Sequence, residues 1–226
     1  MLKPSIRFNL VDTVCREGDF VFDIGANIGD YTLQMAQRVG PTGRVVAFEP
    51  VPYLADTIRK TARINRHDWV KVLSLAVSSS EGRSVFSVER GNSGGSRLGR
   101  KDGDFYQIEV ETIRLDAFIS RHPEIDRLDV LKIDVEGFED KVVVGAVETL
   151  RRFRPAIIVE TGFETAAQRQ TICDHLSGLG YGIVGIEVPG GLAEFSWTEY
   201  REGSSTLREI GVSNMLLMQI AEGNQL

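Results

Sequence analysis

The stretch Phe22-Asp23-Ile24-Gly25-Ala26-Asn27-Ile28-Gly29 decides the fold of this chain. An apolar strand from Phe20 to Ile24 leads into a glycine turn, and a helical pattern begins directly afterwards at Asp30. Gly25 allows a sharp turn close to a ligand, and Gly29 allows the helix to pack tightly on the sheet. The free N–H groups at the helix start favour negative charge. Turns of this kind bind nucleoside cofactors at the carboxyl edge of a parallel sheet.

A second acidic turn follows at Glu49, after the strand Arg44 to Phe48 and 20 residues beyond Gly29. An acid at this place can accept hydrogen bonds from both hydroxyls of a ribose. The alternative is that Glu49 serves only the start of the next helix, where negative charge is favourable. Asn27 replaces the second glycine of the G-x-G-x-x-G dinucleotide pattern, so a purely structural turn also stays open.

Strands and helices alternate over most of the chain, which predicts an α/β protein with a mostly parallel sheet and helices on both faces. The last strand-like run, 214–220, has no helix of its own before it, so we expect it to enter the sheet antiparallel. The predicted sheet has seven strands, one of them reversed. The predicted strands are 20–24, 44–48, 70–75, 128–133, 156–160, 182–187 and 214–220, and the predicted helices are 30–39, 53–65, 139–150 and 165–179.

Three segments depart from the alternation within what we predict to be a single domain over residues 1–226. Residues 1–17 are predicted to form an N-terminal helical segment, and residues 189–213 a poorly patterned, variable segment. Residues 78–113 contain two alternating runs around a glycine- and serine-rich loop, which predicts a β-hairpin insertion. The loop is either a plain surface loop or one that contacts the acceptor.

Composition narrows the function classes. The chain has 226 residues, of which 42% are hydrophobic and 26% charged, as in ordinary globular domains. A net charge of −6 argues against nucleic acid as the main partner. The two cysteines are far apart and predict reduced thiols. With no signal peptide and no membrane-spanning apolar run, we expect a cytoplasmic protein without a membrane partner, as a monomer or a homo-oligomer.

The segment from Val130 to Glu139 repeats the design of the opening turn, with a buried strand that ends in acidic residues before a glycine. Asp134 and Glu136 are two residues apart, so an extended backbone would point them the same way. Converging carboxylates can hold a cation, take a proton or position a hydroxyl. Helix capping by Asp134 and Glu139 is the alternative, although it leaves Lys132 and Glu136 unexplained.

With both turns considered, the chain closely resembles the FkbM family of S-adenosylmethionine-dependent methyltransferases. The resemblance spans about residues 18–162, with a weaker likeness at 214–217. Residues 189–213 show no match, so we expect this variable segment to shape the acceptor pocket. The combination of D-I-G-A-N-x-G with K-I-D-V-E-G carries it, together with the segments 47–50, 75–78, 94–96 and 112–116. The resemblance implies a Rossmann-like class I methyltransferase fold with a β-hairpin insertion, and S-adenosylmethionine as cofactor.

The resemblance also implies roles for individual residues. The first turn would surround the methionine end of the cofactor, Glu49 would hold the ribose, and Ala76 and its neighbours would flank the adenine. The predicted cofactor-binding residues are Asp23, Gly25, Ala26, Asn27, Gly29, Glu49, Pro50, Ala76, Val77 and Asp134. The predicted substrate-binding residues are Ser96, Glu136 and Glu160.

The predicted reaction is methylation of a hydroxyl on a small molecule such as a natural product or a sugar. A hydroxyl acceptor must lose its proton, so Asp134 and Glu136 are the candidate bases, and Lys132 tunes them electrostatically. No metal is assigned, because the sequence pattern offers no third ligand. Two other classes stay open: a nicotinamide-dependent oxidoreductase, and a non-catalytic protein that binds a nucleoside cofactor.

Overall fold

The computed structural model describes residues 9–89, 97–99 and 105–220. The helices are α1 Leu10–Val14, α2 Asp30–Val39, α3 Pro52–Ile64, α4 Leu115–Arg121, α5 Glu139–Val144, α6 Val147–Phe153, α7 Ala166–Gly178, α8 Trp197–Glu202 and α9 Ser205–Ile210. The strands are β1 Phe20–Ile24, β2 Arg44–Phe48, β3 Val70–Leu73, β4 Ala76–Val77, β5 Gly82–Glu89, β6 Arg97–Leu98, β7 Phe105–Ile113, β8 Val130–Ile133, β9 Ala156–Thr161, β10 Tyr181–Val188, β11 Gly191–Ala193 and β12 Ser213–Gln219.

The main sheet has the strand order β11-β10-β12-β9-β8-β1-β2-β3. The five strands from β9 to β3 pair in parallel, and β12 lies antiparallel between β9 and β10. This confirms the predicted mostly parallel sheet with its reversed last strand. The sheet has one strand more than predicted, because the chain turns back at Gly190 (φ 96°) and adds the short antiparallel β11 at the edge.

Helices cover both faces of the sheet, as predicted. The face with α1, α2 and α3 buries residues such as Val21, Met35 and Ile158. The opposite face, covered by α4 to α8, holds the larger cluster, which includes Phe22, Phe118 and Leu176. Because β1, β8 and β9 are covered on both sides, their side chains are almost all buried, which explains their near-continuous apolar sequences.

A smaller sheet of order β4-β7-β5-β6 contains the predicted hairpin. Its strands β5 and β7 pair antiparallel over eight positions, whereas the alternating runs in the sequence covered only 84–88 and 107–112. The short β4 pairs with β7 in parallel. Because β4 follows β3 closely in the chain, it connects the smaller sheet to the edge strand of the main sheet. The tip of the predicted loop, including Ser96, lies outside the described residues.

One predicted helix is interrupted. Residues 139–150 form two short helices, α5 and α6, instead of one. Gly145 stands between them, and a Cβ there would lie 2.1 Å from the Ser78 carbonyl oxygen. The Gly145 carbonyl accepts a hydrogen bond from the Asp116 amide (3.0 Å) instead of continuing a helix. Among the described helices, none is long and apolar enough to span a membrane.

Candidate active site at the carboxyl edge of the sheet

A cleft opens where β1, β2 and β8 end. We call it the cofactor cleft. The cleft is polar on the side of β1 and β8 and apolar on the side of α3 and the smaller sheet. It is lined by Ile24, Gly25, Asn27, Phe48, Glu49, Pro50, Leu54, Leu75, Ala76, Val77, Phe86, Leu98, Asp134, Val135 and Glu136.

The first turn is locked to its neighbours by backbone contacts. The amides of Gly25 and Ala26 both donate to the Phe48 carbonyl, at 3.0 and 3.1 Å. Gly25 has φ 79°, and a Cβ there would lie 1.7 Å from the Asp134 carbonyl oxygen. Gly25 therefore approaches the turn after β8 closely, and it also lines the cofactor cleft. Gly29 (φ 95°) likewise approaches Ile58 of α3, while α2 packs on β1 and β2.

Glu49 links the first turn to the start of α3. Its two carboxylate oxygens accept from the backbone amides of Asn27 (2.7 Å) and Val51 (2.8 Å). The contact with Val51 matches the alternative role at the helix start, and the carboxylate also lines the cofactor cleft. Glu49 is only 4% exposed. Burial raises the pKa of Glu49 to about 7, against the two amides that lower it.

The apolar side of the cleft has residues that the sequence pattern did not reveal. Leu54 comes from α3, and Phe86 and Leu98 come from the smaller sheet, and they line the cleft together with the predicted Pro50 and Ala76. An apolar slot beside a buried carboxylate fits the adenine and ribose of an adenosine cofactor. The insertion therefore forms a wall of the cofactor cleft. An alternating strand pattern predicts a buried face for Phe86 but not which cavity that face borders.

Lys132 lies behind the cleft, 1% exposed, between two carboxylates. Its Nζ donates to Asp134 Oδ2 at 2.7 Å, stands 3.9 Å from Asp23 Oδ1, and lies 4.5 Å from the centre of the Tyr31 ring. Burial lowers the pKa of Lys132, but the charges of Asp134 and Asp23 outweigh burial and raise it. Lys132 is therefore a buried cation that holds the Asp134 carboxylate, consistent with its predicted tuning role.

Asp23 faces the protein interior. It is fully buried, and its Oδ2 accepts from the Thr32 hydroxyl at 2.5 Å. The amides of the first turn donate to Phe48 and Glu49 and not to Asp23. Burial raises the pKa of Asp23, although Lys132 and Thr32 act to lower it. The residue shapes the site through Lys132 and Thr32.

Asp134, Glu136 and Glu160 converge, each with a carboxylate oxygen within 4.8 Å of the others. The predicted extended backbone at Asp134 and Glu136 is wrong, because Glu136 adopts a left-handed conformation with φ 57°. The two carboxylates converge through this turn. Glu139 closes this turn by accepting from the amides of Val135 (3.0 Å) and Gly137 (3.2 Å), while Asp134 binds Lys132. Burial, Asp134 and Glu136 all raise the pKa of Glu160.

Three carboxylates within this distance could hold a divalent cation, and Glu160 is the third potential ligand that the sequence pattern did not supply. The Asp134 oxygen that faces Lys132 already has a cationic partner at 2.7 Å. The arrangement therefore offers a proton acceptor held by an ammonium group, with two further carboxylates beside it.

The predicted site residues that the structure describes fall into three groups by their position relative to the cofactor cleft. Eight of them line the cofactor cleft, four stand behind it, and Glu160 stands beside Asp134. The eight are Gly25, Asn27, Glu49, Pro50, Ala76, Val77, Asp134 and Glu136. The four behind it are Asp23, Ala26, Gly29 and Lys132, and Ser96 lies outside the described residues.

Comparison with known proteins agrees with this site. A family model described as the methyltransferase FkbM domain matches residues 23–183. The methyltransferase sdnD of Sordaria araneosa is 30% identical over 193 residues, which cover 73% of this chain and 74% of that protein. The 2-O-methyltransferase NoeI of Sinorhizobium fredii is 30% identical over 165 residues, 66% of each chain.

A solved structure, the methyltransferase FkbM of Methylobacillus flagellatus, superimposes with a TM-score of 0.57 at 14% identity. The match covers 92% of this chain and 49% of that one and shows the shared fold alone. The family match includes both acidic turns and the wall formed by the smaller sheet. The chain therefore belongs to the FkbM family of methyltransferases, and its methyl donor is S-adenosylmethionine.

Proposed function

We propose that this protein methylates a hydroxyl group of a small molecule, with Asp134 as the base and Glu136 as the group that orients the acceptor. One observation carries the proposal. Asp134 and Glu136 line the cofactor cleft, and their carboxylates also converge with that of Glu160, which does not line the cleft. The two residues therefore lie between the cofactor cleft and the remaining part of the carboxyl edge of the sheet.

We infer that the cofactor binds with its adenine in the apolar slot and its ribose on Glu49. Asn27 at the first turn borders the methionine end, and its buried Oδ1 has no hydrogen-bond partner among the described residues. That oxygen can accept from the amino group of a bound amino acid. The acidic cluster also favours a positively charged donor, because opposite charges attract strongly in a partly buried site.

S-adenosylmethionine supplies an activated methyl group on a sulfonium sulfur, so the protein chiefly has to align the acceptor with it. Asp134 accepts the proton of the acceptor hydroxyl. Lys132 fixes the orientation of the Asp134 carboxylate through the 2.7 Å contact. Glu136 and Glu160 accept hydrogen bonds from the acceptor and so fix its position.

Relatives support oxygen as the acceptor atom, since NoeI is named a 2-O-methyltransferase. The FkbM family assignment favours methyl transfer over the nicotinamide-dependent alternative. Calorimetry with S-adenosylmethionine and NAD separates these two classes directly. A screen with labelled S-adenosylmethionine and hydroxylated metabolites, read by mass spectrometry, then identifies the acceptor. Binding of NAD without binding of S-adenosylmethionine would contradict the proposal.

Asp134→Asn tests the base. The amide keeps the size of the side chain but cannot take a proton, so we expect methyl transfer to fall by about 100-fold or more. The dissociation constant of S-adenosylhomocysteine, measured by calorimetry, should change by less than about threefold because the cofactor cleft keeps its shape. The exposed Asp56 of α3 gives a matched control, Asp56→Asn, with full activity. A fully active Asp134→Asn enzyme would rule out Asp134 as the base.

Cofactor binding should depend on pH through Glu49. The Glu49 carboxyl group accepts hydrogen bonds from ribose hydroxyls much more strongly when it is ionised, and its pKa is about 7. We therefore expect affinity for S-adenosylhomocysteine to rise about tenfold from pH 6 to pH 8. In the cofactor-free protein, the raised pKa of Glu49 has the opposite effect on folding stability. The contribution of Glu49 to the free energy of unfolding falls as pH rises from about 4.5 to 7.

Calorimetric affinities therefore test the Glu49 prediction better than melting temperatures. Glu49→Gln should bind more weakly at every pH and lose this pH dependence. A variant with the wild-type pH profile would show that another group titrates, such as Glu139, whose pKa burial also raises to about 7.

A further inference from the structure

Beyond Asp134, the carboxyl edge of the sheet carries polar side chains that the mechanism above leaves largely unused. Ile133 pairs with Val159, so the next residues, Asp134 and Glu160, are neighbours. Asn214 of β12 pairs directly with Glu160. Opposite residues on neighbouring strands project from the same face of a sheet.

Glu187 of β10 extends this line by one strand. The Asn214 Nδ2 donates to Glu187 Oε2 at 3.0 Å and to the Tyr31 hydroxyl at 3.1 Å. We call Glu160, Asn214 and Glu187 the acceptor row. None of the three lines the cofactor cleft, so the row runs away from Asp134 on the side opposite the cofactor. Tyr31 at the start of α2 covers it.

Two oxygen atoms of the acceptor row lack hydrogen bonds. The amide nitrogen of Asn214 must face Glu187, because a carboxylate accepts and does not donate. This orientation leaves Asn214 Oδ1 buried and without a partner within the described part of the chain, and Glu160 Oε2 is in the same state. Buried polar atoms without partners are rare in native proteins, so a bound group that pairs with these two atoms would complete the site. Asn214 Oδ1 can only accept a hydrogen bond, so it needs a donor.

The charge of this region restricts which group can supply the donors. Asp134, Glu136 and Glu160 already converge, and Glu187 lies next to Asn214. Their mutual repulsion, together with burial, raises the pKa of Glu160, so the site resists one more negative charge. A ligand with hydroxyl groups and no carboxylate or phosphate satisfies both conditions.

We propose that the acceptor row binds the methyl acceptor through its hydroxyl groups and selects neutral polyhydroxyl compounds over anionic ones. This inference rests on the proposed function and specifies its acceptor. Asn214 and Glu187 thereby become specificity-determining residues of the reaction. Asn214 receives an acceptor hydroxyl on Oδ1, and the Glu187 charge excludes anions.

The test uses the full chain loaded with S-adenosylhomocysteine and two probes, methyl α-D-glucopyranoside and the corresponding glucuronide. The probes differ only in a carboxylate, and their binding is measured by saturation-transfer NMR at pH 7.5. We expect at least about tenfold preference for the neutral glucoside, from the repulsion between like charges in a partly buried site. Glu187→Gln should narrow this preference severalfold, because it keeps the side chain's shape and removes one charge.

Asn214→Ala should weaken glucoside binding severalfold and leave the affinity for S-adenosylhomocysteine unchanged, which also shows that the variant is folded. Asn65→Ala, at the exposed end of α3, is the matched control. Equal binding of both probes, or unaltered glucoside binding by Asn214→Ala, would overturn the proposal. Binding of S-adenosylhomocysteine with no binding of either probe would overturn it too. If the wild-type chain did not bind S-adenosylhomocysteine at all, that result would instead contradict the proposed function.

Discussion

Gly25→Ala should abolish cofactor binding and destabilise the protein by about 3 kcal/mol or more. A Cβ at this position would stand 1.7 Å from the Asp134 carbonyl oxygen and 2.8 Å from its carbonyl carbon. Both atoms belong to the backbone, so no side-chain rotation relieves the contact, and the turns after β1 and β8 must move apart. Since the cleft is built from both turns, urea unfolding and calorimetry with S-adenosylhomocysteine should both report the loss.

Gly190→Ala separates this collision from the general cost of a left-handed backbone. Gly190 has φ 96°, and a Cβ there would meet nothing within 4 Å. We expect a cost of about 1–2 kcal/mol, the ordinary penalty of the left-handed region for a residue with a Cβ, and unchanged cofactor affinity. If Gly25→Ala behaved like Gly190→Ala in both measurements, the contact between the two turns would not matter as described.

Lys132→Met should lower the free energy of unfolding by about 3–5 kcal/mol, because it leaves the buried Asp23 carboxylate without its cation. Methionine matches the length and apolar contacts of the lysine stem, so the change isolates the charge. Methyl transfer should fall at least about tenfold, since Asp134 loses the ammonium group that holds it.

The pH dependence of Lys132→Met has a definite sign. The pKa of Asp23 is already raised by burial, and removal of Lys132 raises it further. A carboxyl group with a raised pKa destabilises the folded state progressively as pH increases. The deficit relative to the wild type should therefore be smaller at pH 5 than at pH 8.

A second substitution tests the origin of this deficit. Adding Asp23→Asn to Lys132→Met removes the uncompensated charge and should restore most of the stability, as measured by urea unfolding, without restoring methyl transfer. A double variant as unstable as Lys132→Met would show that lost packing, and not the unpaired buried charge of Asp23, causes the deficit.

Local pattern was sufficient for the first half of the site. The bounds of β1, β2 and α2 agree with the prediction, because apolar runs and a glycine turn define them without help from distant residues. Glu49 and Asp134 lie at the cleft because the carboxyl ends of parallel strands meet at one edge.

The remainder depended on contacts between segments far apart in the chain. Nothing near Gly25 indicates that it must accommodate the Asp134 carbonyl, and nothing near Phe86 or Leu98 indicates that they border the cofactor cleft. The left-handed Glu136 shows the same limit, since glycine is the usual signal for that conformation. Asn214 and Glu187 became neighbours only through the antiparallel placement of β12.

The position of β12 also affects how the molecule can be completed during synthesis. In the strand order of the described residues, β10 and β11 join the rest of the main sheet through β12, which follows both of them in the sequence. The strands that carry the cofactor cleft are all made earlier and pair with one another directly. A ribosome therefore releases the strands of the cofactor cleft first, and β10 and β11 can join the main sheet only after β12 has been made.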